Sequence, residues 1–248
     1  MNRCRFIFAV LAGLLWAGGA AAQTGDEAPP LRVDMGYASR YVFRGVQRAG
    51  DSAQAAVEIN REGFRGGLGL TRPFDQGEPG ELNLNAAYGW GSSGGIVLEG
   101  TVTSTWFSDV PGVDRSLEAG LRATLPPAGG FTPSLAYYRD LCFDADTVEA
   151  AFARSIPLTK LGAFLELNLF AGVVRGRNWR PDAAGPKWRD GYGYWGGEAR
   201  LPYRVGPHST VVAGVHYAGT AGRSISNGPF GRRSSDRVWV TLGVNLDF

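Results

Sequence analysis

The residue types that most often carry catalysis or bind metals are scarce in this chain. Its histidines are His208 and His216, and only one cysteine, Cys142, lies beyond the first few residues. His208 precedes Ser209, but a hydrolase triad needs a hydroxyl, an imidazole and a carboxylate within hydrogen-bond reach, not adjacent in sequence. His216 alternates with apolar residues, and Glu198 on the preceding segment is placed to orient it. Because no hydrolase motif and no metal-ligand spacing accompanies them, we expect no enzyme activity, metal or cofactor.

Charged side chains that alternate with apolar ones form a larger set with a different chemistry. They recur at every second position of apolar segments, which predicts a continuous polar surface that contacts water and polar solutes. The candidates for this surface are Arg40, Arg44, Glu58, Glu99, Glu118, Arg122, Glu166, Glu198, His216 and Arg237.

The first 22 residues have the pattern of a secretory leader, or signal peptide. Arg3 and Arg5 supply positive charge, residues 6–16 are apolar, and Ala20-Ala21-Ala22 is a small-residue cleavage site. The apolar stretch is too short to span a bilayer. Removing the leader takes two of 25 basic residues and none of 23 acidic ones, so the mature chain has no net charge. It also leaves a single cysteine, which excludes an internal disulfide. Residues 23–30 are expected to form a flexible lead-in.

The C-terminal segment shows most clearly how the polar surface is positioned. From Val238 to Phe248 every second residue is apolar, and the residues between them run from Trp239 to Asp247. Strict alternation predicts a strand with one face against an apolar medium and the other against water.

Twelve segments of this kind follow one another, at 31–43, 52–60, 64–72, 81–90, 96–107, 115–125, 131–140, 147–156, 163–175, 191–203, 209–218 and 236–248. Connections after the even-numbered segments are short, and those after the odd-numbered ones tend to be longer and more polar. An even number of strands of about ten residues, with short turns at one end and long loops at the other, is typical of bacterial outer-membrane barrels. We therefore predict an all-β fold, a transmembrane up-and-down antiparallel barrel of about twelve strands over residues 31–248.

Aromatic residues of the apolar phase collect near the ends of the segments. At the outer rim we expect Tyr41, Phe43, Trp106, Tyr137, Trp195 and Tyr217, and at the periplasmic rim Tyr88, Trp90, Tyr203 and Phe248. Two such girdles are what a membrane belt needs, because amphipathic rings favour the headgroup level. A soluble β-sandwich would have no physical reason to place its aromatic residues at the ends of strands.

One stretch near the start resembles a known family. Ser39-Arg40-Tyr41-Val42-Phe43-Arg44-Gly45-Val46 resembles the opening motif of the TorF-type porins, in which the first strand typically reads Tyr-Val-Phe-Arg-Gly, then Ile or Val, Ser, Gln. Gly63-Phe64-Arg65-Gly66-Gly67 and Glu81-Leu82-Asn83 are similar to two later strand starts of the family, whereas Gln47 and Arg48 depart from it. The match covers roughly residues 37–90. It implies a channel-like barrel and supplies no catalytic residues.

The polar surface would then line a lumen, for which two interpretations stay open. Eight-stranded barrels are filled by side chains and barrels of 16–18 strands enclose wide channels, so twelve strands predict a narrow lumen. Its charges either pair across the barrel and plug it, or line a pore that orients small hydrophilic solutes. Arg40 and Arg44, near the outer mouth, are expected to contact solutes or anions. The alternative is that they pair with Glu58 or Glu99 on nearby strands.

The same pattern predicts the partners. We expect outer-membrane lipid and lipopolysaccharide around the barrel, the barrel-assembly machinery at the C-terminal strand, small hydrophilic solutes in the lumen, and no nucleic acid. Basic residues of two long loops are candidates for lipopolysaccharide phosphates or anionic solutes, unless they are ordinary solvated side chains: Arg177, Arg180, Lys187, Arg189, Arg223, Arg232 and Arg233.

Overall fold

The computed structural model describes residues 29–91, 95–108, 115–176, 190–221 and 236–248, so the predicted leader lies outside the described part. Within these ranges the strands are β1 (Leu31–Ala38), β2 (Tyr41–Phe43), β3 (Val46–Ala49), β4 (Ser52–Arg61), β5 (Phe64–Pro73), β6 (Glu81–Gly91), β7 (Val97–Phe107), β8 (Arg115–Thr124), β9 (Thr132–Asp140), β10 (Ala145–Leu158), β11 (Ala163–Gly176), β12 (Asp190–Gly206), β13 (Ser209–Ala221) and β14 (Arg237–Asp247). One short 3-10 turn, Thr159–Leu161, precedes β11. Across those same ranges, no helix is long and apolar enough to cross a membrane.

Twelve of these strands, all except β2 and β3, form one closed antiparallel barrel. Neighbours in the chain are neighbours in the wall, and β1 closes the cylinder by pairing with both β14 and β4. Leu31 and Phe248 exchange two backbone hydrogen bonds of 3.3 and 2.9 Å at the seam. The predicted twelve-stranded barrel is confirmed.

The two ends of the barrel differ. The start of β1, the end of β14 and the tight connections 62–63, 159–162 and 207–208 lie at one end, which we call the turn end. The connections 39–51, 74–80 and 141–144 lie at the opposite end, which we call the loop end. The lumen hairpin described below enters from the loop end.

The wall is apolar outside and polar inside. Because successive side chains of a strand point to opposite faces, one phase of each strand faces outward and the other faces the lumen. Exposed outward residues near mid-strand include Val57, Leu169 and Leu242, which are 42, 57 and 57 % exposed. The inward phase includes buried polar residues such as Glu81 and Glu118.

The predicted first strand, 31–43, is wrong in its second half. β1 ends at Ala38, which pairs with Ser52 of β4, and the chain then leaves the wall. β2 and β3 pair only with each other and form a separate two-stranded sheet. Its turn is Arg44-Gly45, with φ of 47° and 76°, and two successive positive φ values are typical of a type I′ hairpin turn. We call residues 41–49 the lumen hairpin.

Candidate functional site

The lumen hairpin reaches across the barrel and binds the far wall through charged side chains. Arg44 at its tip donates two hydrogen bonds to Glu118 of β8, with Nη1–Oε2 and Nη2–Oε1 distances of 2.6 and 3.0 Å. Arg48 donates from Nη1 to Oε1 of Glu81 on β6 at 2.7 Å, and the Tyr41 hydroxyl donates to the other carboxylate oxygen at 2.8 Å. These bonds hold the hairpin inside the lumen rather than above it.

Aromatic rings sandwich the two arginines. The Arg44 guanidinium carbon lies 4.8 Å from the centre of the Phe43 ring and 4.7 Å from that of Tyr138. Arg48 lies 4.0 Å from Phe43 and 5.5 Å from Phe107. Cations are attracted to the negative faces of such rings, so these contacts add to the ion pairs.

Tyr41 and Phe43 therefore do not belong to the outer aromatic girdle, and that prediction is wrong. Their apolar phase continues that of β1, but the chain turns inward after Ala38. Tyr41 binds a lumen carboxylate and Phe43 contacts two lumen arginines. The outward aromatic at the end of β1 is instead Tyr37, which stacks on Phe74 with ring centres 6.2 Å apart.

The tip of the lumen hairpin packs on a second part of the wall. A Cβ added to Gly45 would lie 2.5 Å from Cγ2 of Thr220 on β13 and 3.0 Å from Cβ of Tyr194 on β12. Such a distance to Thr220 is too short for real atoms, so only glycine fits between the tip and the wall. The hairpin thus contacts opposite sides of the barrel at once.

Burial and charge set the protonation of the hairpin groups. Burial raises the pKa of the Tyr41 phenol well above its ordinary value, and the charge of Glu81 raises it further. The phenol therefore stays protonated and remains a donor. Burial disfavours the Arg44 cation, but the charge and hydrogen bonds of Glu118 outweigh this and raise the pKa of Arg44. Against the effect of burial, the charge of Glu81 raises the pKa of Arg48 as well, so both arginines stay positively charged.

Two tyrosines that the sequence analysis missed lie flat on the inner wall. Tyr194 covers Gly172 and Tyr138 covers Gly120, where an added Cβ would come within 2.4 Å of each ring. The Tyr194 hydroxyl donates to Glu149 at 2.7 Å. A tyrosine opposite a glycine on the neighbouring strand, in the polar phase, is the sequence signal that identifies this arrangement.

Tyr138 also explains the position of Arg122, a predicted lumen residue. Arg122 donates from Nη2 to the Tyr138 hydroxyl at 2.9 Å. Tyr138 therefore contacts both arginines, Arg122 through its hydroxyl and Arg44 through the face of its ring.

His216 is the centre of a hydrogen-bonded chain below the hairpin. Its Nδ1 lies 3.2 Å from Oε2 of Glu198, and its Nε2 lies 2.9 Å from Oγ1 of Thr241. Trp239 stacks on the ring with centres 5.1 Å apart. The order carboxylate, imidazole, hydroxyl matches a hydrolase triad. However, the surrounding amides belong to strands that pair on both sides, so they are not available to stabilise an oxyanion.

The other predicted lumen residues share the inward phase without forming one site. Glu99 pairs with Arg65 on the wall at 2.5 Å, and Glu58 accepts a hydrogen bond from Asn60 at 3.3 Å. Glu166 lies opposite Arg200 on the neighbouring strand. Arg237 lies opposite Ala218 near the loop end.

The predicted partners of the two motif arginines were wrong. Arg44 pairs with Glu118 rather than with Glu58 or Glu99, because the hairpin carries it across the lumen. Arg40 donates from Nη1 to the carbonyl of Val238 at 3.0 Å, on β14 beside it.

Below the lumen hairpin, on the side of the turn end, the lumen contains a cavity of about 210 Å³. The hairpin forms its cover, with Arg40 and Arg44 in the lining. Arg122, Glu198 and His216 line the wall below it. Five of the predicted lumen residues therefore meet around one space.

The remaining predicted girdle residues face outward. Eight aromatic side chains with exposures between 37 and 59 % lie at two levels of the wall, near the loop end for the first four and near the turn end for the last four: Trp106, Tyr137, Trp195, Tyr217, Tyr88, Trp90, Tyr203 and Phe248. Their arrangement is that of the two girdles, and their contact with lipid stays a prediction.

Some predicted sites cannot be placed. The basic loop residues from Arg177 to Arg189 and from Arg223 to Arg233 lie outside the described residues. Among the residues that are described, no group of three or more His, Cys, Asp and Glu side chains lies close enough to hold a metal ion.

Comparison with known proteins gives a likeness in fold. No protein-family model matches the chain, and no curated protein matches it either. Among solved structures, a KdgM porin has a TM-score of 0.57 and 10 % identity, covering 88 % of this chain and 99 % of its own. A NanC porin has a TM-score of 0.56 and 11 % identity, covering 88 % and 100 %. The chain therefore shares the barrel fold of these two porins over 88 % of its length.

Proposed function

We propose that the protein is a channel of the bacterial outer membrane that passes small hydrophilic solutes through a narrow polar lumen. The proposal includes membership of the TorF-type porins, whose opening motif coincides with residues 39–46 and so with the lumen hairpin. It also includes an outer face surrounded by lipid and lipopolysaccharide. The strand β14, which ends next to the exposed Phe248, is the proposed contact for the barrel-assembly machinery.

The observation that carries the proposal is the opposite polarity of the two faces of a closed wall. The outward face exposes a band of aliphatic side chains between two levels of aromatic ones. In water such a band is unfavourable, since each Å² of apolar surface costs about 25 cal/mol. In a bilayer it is the expected outer surface of a barrel. The inward face carries Glu58, Glu99, Glu166, Glu198 and Arg237, which suit hydrated ions and polar solutes rather than lipid.

The fold likeness to the KdgM and NanC porins supports the same proposal. The protein also has a lumen cavity whose lining includes both cationic and anionic side chains. A channel with both signs of charge orients dipolar solutes and selects weakly between ions.

Conductance of the purified protein in planar lipid bilayers tests the proposal. We expect discrete current steps in concentrated salt, smaller than those of wide channels because twelve strands enclose a narrow lumen. Liposomes that contain the protein should swell in solutions of small sugars or amino acids and remain stable in larger ones. Absence of current steps at every voltage and salt concentration would remove the channel function.

A second candidate is a non-conducting structural or interaction barrel. The observation that favours it is the lumen hairpin, whose ion pairs close part of the lumen. The same recordings separate the two candidates, since a permanent plug gives no openings. Unchanged phospholipid and lipid A profiles in cells that overproduce the protein would count against a lipid-modifying enzyme.

A further inference from the structure

The lumen hairpin is held in the barrel by side chains and not by the sheet. β2 and β3 pair with each other and with no wall strand. Its contacts with the far wall are the two ion pairs, the Tyr41 hydrogen bond and ring contacts. A segment without a shared backbone ladder can leave the wall without opening the barrel itself.

Charge complementarity decides where the hairpin rests. The hairpin brings in Arg44 and Arg48, and the wall offers Glu118 and Glu81, whose side chains are 7 and 1 % exposed. Buried opposite charges attract strongly, and removal of one partner leaves the other without compensation. The pairs are therefore positioned to act as latches between the hairpin and the wall.

The two legs of the hairpin are fixed at the rim, where hinges would be needed. On one side, Ser39 accepts a hydrogen bond from the Val240 amide at 3.1 Å and donates its own amide to the Val240 carbonyl at 3.0 Å. On the other side, the Gly50 amide donates to Glu78 at 2.6 Å. Between these anchors the hairpin forms one unit, because its own two strands pair with each other.

The tip itself stores backbone strain. Arg44 has a φ of 47°, in the left-handed region that non-glycine residues rarely occupy. Strained residues of this kind are frequent in ligand clamps and switch regions, where surrounding contacts hold them in place. Here the contacts that hold the tip are those of the Arg44 side chain with Glu118 and Tyr138.

We propose that the lumen hairpin is the gate of the channel, latched shut by the Arg44–Glu118 and Arg48–Glu81 ion pairs above the cavity. This inference rests on the proposed channel function. In the latched state the hairpin covers the cavity, and release of the pairs connects the cavity to the loop end. The gate therefore controls how often the channel conducts, and the wall below controls what it conducts.

Single-channel recording of two proteins tests the gate and the channel separately. One is the wild type, and the other has residues 39–51 replaced by a four-residue Gly/Ser loop that joins the paired residues Ala38 and Ser52. We expect rare or small openings in the wild type and long, larger openings in the replacement variant. Equal conductance and open probability in both would overturn the gate and leave the channel intact. No current from either protein would overturn the channel, and with it the gate.

Single substitutions then test the latch. Glu118→Gln should raise the open probability about tenfold, the change that roughly 1.4 kcal/mol produces. Arg44→Gln should have a similar effect, and the double variant should not exceed the larger single effect, because both remove one interaction.

The matched control is Glu99→Gln. It breaks the Arg65–Glu99 pair, which lies within the wall and involves no hairpin residue. An increase in open probability for Glu99→Gln as large as that for Glu118→Gln, or fully additive effects of Arg44→Gln and Glu118→Gln, would contradict the latch.

Discussion

Arg44 of the lumen hairpin and Glu118 of the wall form a two-pronged ion pair on the side of the barrel away from β1. Glu118 lies on β8, five strands from β1 in one direction around the wall and seven in the other. The two side chains are 10 and 7 % exposed. Removing one partner of a pair this buried leaves the other charge in the lumen without compensation. The pair therefore determines the position of the lumen hairpin more than any single apolar contact does.

The first prediction concerns the effect of Arg40 on the ion selectivity of the channel. Arg40 lines the cavity and donates a hydrogen bond to a backbone carbonyl, that of Val238. Arg40→Glu should shift the reversal potential in a salt gradient toward cation selectivity, since it replaces a positive charge in the lining by a negative one. The control is Arg61→Glu, an outward charge reversal at the turn end, where the side chain is 86 % exposed. Equal shifts for both variants would show that Arg40 does not line the path of the ions.

The second prediction concerns the fit of the hairpin tip. Gly45→Ala places a Cβ 2.5 Å from Thr220 Cγ2, so the tip should leave the wall and expose Arg44 and Arg48. Limited trypsin digestion of the folded protein, followed by mass spectrometry, should then show cleavage after both arginines.

Gly77→Ala provides the control for backbone strain. Gly77 also has a positive φ, 88°, but its Cβ would meet nothing within 4 Å. Alanine in the left-handed conformation should lower the free energy of unfolding of both variants by about 1–2 kcal/mol. Only Gly45→Ala should gain the new cleavage sites. If Gly45→Ala resisted trypsin, contacts other than the close packing of Gly45 against Thr220 would hold the tip at the wall.

The strands of the wall were predictable from the sequence because one physical rule sets their pattern. A wall between lipid and water forces period-two alternation, and Val238 to Phe248 follow it without exception. The boundaries of eleven of the twelve segments differ from the observed strands by three residues or fewer. Alternation also identified the inward phase, including Glu118, Arg122 and His216.

The hairpin escaped prediction because its own alternation continues that of β1. Tyr37, Tyr41 and Phe43 all occupy apolar positions of the same two-residue alternation. The alternation alone therefore cannot show that the chain leaves the wall at Ala38. A local signal was present in Arg44-Gly45, a two-residue turn between the strand-forming residues Phe43 and Val46. The pairing of Arg44 with Glu118, 74 residues away, depends on the closed barrel and has no local signature.

The third prediction concerns the hydrogen-bonded chain around His216. Gly214→Ala places a Cβ 2.5 Å from Thr241 Oγ1 and 2.8 Å from His216 Nε2, so it must separate the two groups. The lost hydrogen bond should lower the free energy of unfolding by about 1–2 kcal/mol, measured by urea titration in lipid vesicles. Gly89→Ala is the control, because its Cβ would have no neighbour closer than 3.9 Å. If the two variants were equally stable, the Thr241–His216 contact would contribute nothing to folding.

The last prediction tests whether the outward face lies in hydrocarbon. Leu169 lies in the middle of β11, opposite Phe152, and is 57 % exposed. An arginine at the bilayer midplane costs about 2–4 kcal/mol, and one near the interface about 0–1 kcal/mol. Leu169→Arg should therefore destabilise the protein in vesicles far more than Val205→Arg, which changes an equally exposed residue near the turn end. In water this difference would disappear, because both arginines would be solvated equally. If the two variants lost the same stability in vesicles, the outward apolar band would lie outside the membrane, and the proposed channel function would be wrong.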